Sequence, residues 1–501
     1  MNFSQTIEKF NNSNITKFIE KAFSSYVFPF VTAGVTVLST TFGLEPLIVW
    51  YICICGAAIS LCCKDVSPVI CLFVFMHVCI SMQHSPDKRV DWCDPTYLTS
   101  PAFLAQAIVA VLLLISTVIY RIADSIIKKR FKITPLFIGL VAYFTALALN
   151  GLFSSKYYFM DTLYGLGMGA IILFMFVYVS GNVVINESTY KRIAFIFVAL
   201  CLTLALQLMV TYITLDVVQD GVIQRGFIMF GWGTYNQFGM LITLCIPSWF
   251  YLAAKYKYGF AFLFGVPFNL VVAVFGMSRQ SILMAAVLTV LCCVWYLIIV
   301  PKRQKLYGGA FMSAAAVVAL IVILINKDNF ANIFSGLAAS FITGSGRTEI
   351  WEDGLKKFLH NPIFGNGFYD LTATEMHMPG YNGESYGFTQ VIPFMCHNTF
   401  IQLLFAGGVV GLIAYLIHRV QTVVSLFNNP CAGRFFIMFT MCGILLTSLL
   451  DNHIFYPLPL FIYAPLLAVF ALSEKGEKTE RVDDKENNAN TAQSACVEET
   501  L

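Results

Sequence analysis

The sequence predicts an all-α polytopic membrane protein, and three observations predict it. Hydrophobic residues make up 58% of the chain and charged residues only 12%, against roughly 25% charged in soluble domains. The apolar residues fall into runs close to the roughly 20 that a helix needs to cross the hydrocarbon layer. Polar connections between the runs are short, except for one long segment from Lys327 to Thr399. With a mean hydropathy of +0.74, most of this chain is built to avoid water. The net charge of +3 carries little information, because in a membrane protein the distribution of charge matters more than its sum. No nucleic-acid partner is expected.

The chain opens with an interfacial segment, residues 1–24. Phe3, Ile7 and Phe10, then Ile15, Phe18 and Ile19, fall near helical spacing among Lys and Asn. That pattern fits a short helix on the membrane surface and lacks the apolar core and small-residue site of a cleavable signal. About fourteen spans follow, at 25–41, 44–61, 66–82, 102–120, 135–153, 163–184, 193–213, 236–254, 259–277, 281–300, 309–326, 398–417, 435–451 and 457–473. Placing the N-terminus in the cytoplasm puts most of the 31 Lys and Arg residues on that side, among them Lys64, Arg121, Arg192, Lys255, Arg419 and Arg434. This is the bias of the positive-inside rule. An even span number leaves both termini cytoplasmic. The tail, 474–501, is polar and free of aromatics, so it is expected to be disordered.

Fifteen cysteines could suggest a disulfide scaffold. Most, including Cys53, Cys55, Cys62, Cys63, Cys292 and Cys293, lie in or at the ends of apolar runs, where cysteine behaves as a small hydrophobe. Only Cys93 and Cys396 are expected outside, and no pairing between them is predicted. The paired cysteines lack nearby His or acidic partners, so no metal site is expected.

The long segment then lies outside. Gly346 to His360 reads as an amphipathic helix, with Ile350, Trp351, Leu355, Phe358 and Leu359 on one side. Asn361-Pro362 stops it and Gly365-Asn366-Gly367 turns the chain. Asp370 to Gln390 has no clear period and reads as an irregular flap. FGNGF contains GxG, but no strand–helix unit surrounds it, which argues against a nucleotide site.

Four external residues have types and positions that suggest chemistry. Arg225 sits in a Gly- and aromatic-rich loop between spans. Arg279 sits between two spans with almost no loop, so its guanidinium lies at the membrane edge, where a partner is expected. Arg347 opens the loop helix, at an end that attracts anions. Arginine suits phosphate because it offers paired hydrogen bonds. His397 stands just before the next span and has a ring able to take a proton near neutrality. The plainer readings are a snorkelling anchor for Arg225 and Arg279, an ion pair of Arg347 with Glu349 or Glu352, and a structural histidine. His453, beside Asp451 and Asn452, is a weaker candidate. Cys396 adjoins His397, but sequence neighbours rarely face one another, so a Cys–His nucleophile pair is not expected.

The order SGR, IW, a short helix, NPIFGNGF, a polar gap and HNTFIQLLFAGGVVGLIAYL resembles the C-terminal signature of the O-antigen ligase/polymerase family. RGFIMFGWGTYNQFG and GMSRQSILMAAV resemble two earlier segments of that family, although Thr234-Tyr235-Asn236 stands where the family often has NPN. The resemblance covers about 225–417. It implies an all-helical membrane glycosyltransferase fold (GT-C-like) in the bacterial cytoplasmic membrane, with 327–397 as an external catalytic loop between spans 1–11 (25–326) and spans 12–14 (398–473). It implies His397 and Arg279 as catalytic residues, Arg225, Arg279 and Arg347 on a diphosphate, and Asn398, Asn236 and Trp351 in support. The implied donor is a polyprenyl-diphosphate-linked glycan, and the acceptor a glycan or lipid-core hydroxyl. Neither cofactor, metal nor ATP is called for, and a single displacement implies inversion. Ligase, polymerase and protein O-oligosaccharyltransferase share these residues. A flippase or transporter of the same lipids is the alternative class, but such proteins usually show internal repeats and mid-span ionisable residues, and the sequence shows no repeat and almost no acidic residue in mid-span.

Overall fold

A computed structural model describes residues 13–42, 44–79, 101–153, 159–214, 217–219, 222–223, 228, 235–325, 347–368, 376–379, 385–388 and 396–473. The expected tail, residues 1–12, Cys93, Arg225 and the loop start at 326–346 lie outside these. Among the described residues the regular structure is helical apart from two small antiparallel hairpins. The first pairs Val218–Gln219 (β1) with Val222–Ile223 (β2), and the second pairs Met376–Pro379 (β3) with Ser385–Phe388 (β4). The second hairpin falls inside the segment expected to be irregular.

In chain order the helices are α1 (Asn14–Phe23), α2 (Phe28–Thr41), α3 (Glu45–Cys62), α4 (Val69–Phe75), α5 (Pro101–Ile127), α6 (Pro135–Ala148), α7 (Phe159–Ser180) and α8 (Glu187–Thr214). Then come α9 (Tyr235–Lys255), a 3₁₀ turn (Gly259–Phe264) running into α10 (Gly265–Phe275), α11 (Arg279–Ile299), α12 (Lys302–Ile325), α13 (Arg347–His360), α14 (Thr399–Asn428), α15 (Ala432–Thr447) and α16 (Pro457–Ser473). A helix lies in each expected apolar stretch. By length and composition, however, six described helices (α5, α7, α8, α9, α11 and α14) are able to cross a membrane alone, or seven if the bent pair α1–α2 acts as one. Helices α3, α6, α15, α16 and the α10 segment are apolar but shorter. Within the stretch expected to span at 66–82, the described residues hold only α4, all of whose residues are buried. Its hydrophobicity serves contact with protein.

α9 is the axis of the bundle. It packs against α8, α11 and α15, and 89% of its apolar stretch is buried, against 17% for α5. α5 instead turns Leu112, Ile119 and Ile126 outward, as a lipid-facing helix must. Small residues let the backbones approach: a Cβ on Gly239 would lie 2.1 Å from the Ser281 hydroxyl on α11.

Three arginines that the charge count assigned to cytoplasmic segments are held by the protein itself. Arg121, Arg192 and Arg434 are buried. Arg121 donates to the Cys63 and Lys64 carbonyls (2.6 and 3.1 Å) at the end of α3. Arg192 pairs with Asp65 at 2.9 Å. Arg434 donates to Asn429 C=O and Ser425 Oγ (3.1 and 2.6 Å) and lies over the Phe470 ring. Unpaired helix-end carbonyls are costly away from water, and these guanidinium groups answer them. Arg419 lies between the Tyr415 and Tyr463 rings and donates to the Tyr463 hydroxyl.

α14 is broken at Gly408, which has φ +61°. The NPIFGNGF turn is spliced into the break. Val409 and Val410 N–H donate to the Pro362 and Ile363 carbonyls (2.9 and 3.1 Å), while the Phe405 and Ala406 carbonyls accept from Asn366 and Gly367 N–H (2.7 and 3.1 Å). In a continuous helix those four groups would pair with one another. Asn366 also caps α13 through its amide, which donates to Lys357 C=O at 2.8 Å. Gly365 and Gly408 have no room for a Cβ, which would meet Ala406 O and Ile363 O, each at 2.3 Å.

Candidate functional site

The site gathers where several helices begin. Asn398 caps α14, its Oδ1 accepting from Phe400 and Ile401 N–H (2.9 and 3.1 Å) and its amide donating to Leu449 C=O at 3.1 Å. These bonds fix the residue before it, His397, which is held at φ +51°. A non-glycine residue in that region is sparsely populated and persists only where its surroundings enforce it. Met277, two residues before Arg279, shares the conformation at φ +57°.

His397 Nδ1 lies 3.1 Å from Asp451 Oδ1. Asp451, in the connection between α15 and α16, is buried. The Asn452 N–H also donates to its Oδ1 (2.7 Å), and Oδ2 accepts from Asn236 Nδ2 (3.0 Å), with Gln280 Nε2 at 3.4 Å. Asn236 is in the first turn of α9 and Gln280 follows Arg279 at the start of α11. Ser278 Oγ donates to Asn236 Oδ1 (3.1 Å), tying those two starts together. The N-termini of α9, α11 and α14 therefore face one buried carboxylate. Each helix start carries partial positive charge, so the surroundings favour anions.

Burial alone would raise the Asp451 carboxyl. His453, His397 and the Asn452 amide outweigh it and hold the group well below the usual carboxylate range. His453 is fully buried, and burial pushes its imidazole down despite Asp451, with His397 and Arg347 adding to the lowering. An ionised Asp451 accepts the Nδ1 proton of His397 and so leaves Nε2 with its lone pair, directed away from the carboxylate. The His397 side chain is 35% exposed and that of Asp451 is 6% exposed. The ring thus has one buried anchor and one accessible edge.

The remaining expected residues take distinct places. Arg279 is exposed as the first residue of α11. Arg347, half-buried, begins α13 and lies within electrostatic reach of His453. Glu352, a candidate partner for it, is engaged by Lys356 at 2.7 Å. Trp351 donates its indole N–H to Cys396 C=O at 2.8 Å, fastening α13 beside His397. Cys396, expected outside, is buried. Its thiol is pushed up to about 12 by burial, which makes it a poor nucleophile. Gln402 completes the support, its Oε1 accepting from Cys396 N–H and Asn452 Nδ2 (2.8 and 2.9 Å). Sequence reasoning passed over Asp451, Gln280 and Gln402. The one available signal was Asp451-Asn452-His453 at a span end.

The fold and this site define a multi-pass membrane protein with an anion-favouring cluster at one end of its bundle. Residues 259–416 match the family described as O-antigen ligase, so this part of the chain is similar to that family. The match takes in Arg279, Arg347 and His397 and ends before Asp451. No curated protein matches the chain.

Proposed function

We propose that this protein transfers a glycan from a polyprenyl-diphosphate donor to an acceptor hydroxyl on the outer face of the bacterial cytoplasmic membrane. The observation that carries the reading is the His397–Asp451 pair, 3.1 Å apart, set where α9, α11 and α14 begin. In this reading His397 Nε2 takes the proton of the attacking hydroxyl and Asp451 stabilises the resulting imidazolium. Attack on the anomeric carbon from the face opposite the diphosphate inverts that centre. Charge grows on the departing phosphate, and Arg279 and Arg347, with the helix starts, meet it there; Arg225, outside the described residues, is the third arginine expected on the diphosphate. Groups fixed where charge develops favour the transition state over the ground state. The donor arrives already activated, so the step draws on no ATP. Asn236, Asn398 and Trp351 position the cluster.

The acceptor distinguishes ligase, polymerase and protein glycosylation, and the residues are common to all three. The test is transfer of a purified lipid-linked glycan by membranes holding Arg279→Ala or His397→Ala protein at normal level. Both variants are expected to insert and to lose transfer by at least about a hundredfold, and normal transfer by both would overturn the reading. In a deletion strain, accumulated lipid-linked polymer identifies a ligase and accumulated single repeats a polymerase.

A further inference from the structure

At the end of the bundle opposite this site, a cavity of about 610 Å³ opens between α1, the α1–α2 bend and the start of α8. That size is typical of small-ligand pockets, roughly 300–1,000 Å³. Its lining includes Phe18, Lys21, Ser24, Ser25, Tyr26 and Ser188. The walls are fixed from behind: Tyr26 Oη and Ser188 Oγ are hydrogen-bonded at 3.0 Å, Arg192 Nε donates to Ser24 C=O at 3.2 Å, and Ser25 Oγ accepts from Val27 N–H at 3.1 Å.

Charge decides the occupant. The nearby acids are spoken for: Glu20 accepts from Lys64 N–H at 3.0 Å, and Glu187 pairs with Lys191 and Lys255 at 2.6 and 3.7 Å. Lys21 has no carboxylate partner among the described residues, which leaves one cation at a mouth lined with hydroxyls. The surroundings are those of a lipid surface. α1 bends 73° from α2, so it lies across the end of that helix, and it presents Ile15 and Phe18, 67% and 72% exposed, outward. An amphipathic helix of this kind sits at headgroup level with its apolar side among the acyl chains, and lysines there attract anionic lipids.

We propose that this cavity is a binding site for the headgroup of an anionic glycerophospholipid, with Lys21 opposite the phosphate and the Ser24 and Ser25 hydroxyls, with one hydroxyl of the Tyr26–Ser188 pair, on its oxygens. A zwitterionic lipid cancels its own phosphate charge and leaves Lys21 unanswered. The site is remote from the glycan chemistry and does not depend on that assignment.

Native mass spectrometry of the full-length protein, washed in detergent and titrated with phosphatidylglycerol or phosphatidylcholine, tests this. The wild type is expected to hold one phosphatidylglycerol at least tenfold more tightly than phosphatidylcholine, and Lys21→Glu to lose that preference. Ser188→Phe, which fills the cavity but keeps the charge, is expected to lose it as well. Lys257→Glu, exposed elsewhere on the same end, is expected to keep it. Equal retention by wild type and Lys21→Glu, or equal loss in Lys257→Glu, would overturn the site. Displacement of the lipid by free glycerol phosphate would overturn its assignment to a lipid.

Discussion

Replacing Asp451 with Asn tests the centre of the mechanism. The side chain keeps its size and its place beneath Asn236 and Asn452, but the charge opposite His397 Nδ1 is gone. A hydrogen bond to a charged partner contributes about 1.5–3 kcal/mol, and tenfold in rate corresponds to about 1.4 kcal/mol. The turnover of Asp451→Asn is therefore expected to fall by about 10- to 150-fold, with donor binding little changed because the arginines are untouched. His397→Ala removes the base itself and is expected to cost more, about 10²- to 10⁴-fold. Because Asp451 acts through His397, the double variant is expected to be no slower than His397→Ala alone. The assay is single-turnover transfer from a purified polyprenyl-diphosphate glycan in proteoliposomes, with donor binding measured separately. Wild-type turnover in a folded Asp451→Asn protein would refute the pairing. So would a double variant whose loss is the product of the two single losses.

Three other expectations follow from the same geometry. Arg279→Lys keeps the charge but lacks the planar fork, so it is expected to retain donor binding weakly and lose at least tenfold in transfer, read from donor titrations. The buried His453 has its imidazole lowered, so it contributes stability that is present above the unfolded value near 6.5 and is lost as pH falls through the folded value. The melting temperature of the detergent-solubilised protein should therefore fall on acidification below about pH 6.5, and His453→Phe should flatten that dependence. Gly408→Ala places a side chain in a left-handed conformation, at about 1–3 kcal/mol, and presses its Cβ against Ile363 O. Its yield and melting temperature in size-exclusion assays are expected to drop well below those of Gly309→Ala, whose site is open.

Much of the fold was legible because lipid imposes a simple rule on sequence, and apolar runs mark helices wherever the bilayer is the solvent. That rule misreads α4, since a segment buried in protein is as apolar as one buried in lipid. It also does not reveal how Arg121, Arg192 and Arg434 are held, because a guanidinium that caps carbonyls and one that faces water look alike in a loop count. The loop helix was legible from its one-sided pattern, with Arg347 and His360 at its two ends. His397 and Arg279 stood out because polar residues at span edges are few. Asp451 did not, because its partner is 54 residues away and an acid at a span end resembles ordinary loop charge. Asn236 could be suspected but not placed, since only folding brings the starts of α9 and α11 beneath the same carboxylate.

The splice at Gly408 has a bearing on how this molecule is put together in the cell. Four main-chain groups of a bilayer-crossing segment find their mates in a stretch some forty residues earlier, Pro362 to Gly367. The Pro362–Gly367 turn and the crossing that follows it therefore mature as one piece, because neither is chemically complete alone. Excising residues 362–367 would strand amides and carbonyls in an oily setting, and the outcome would be rejection by quality control, not a well-inserted protein with an idle centre.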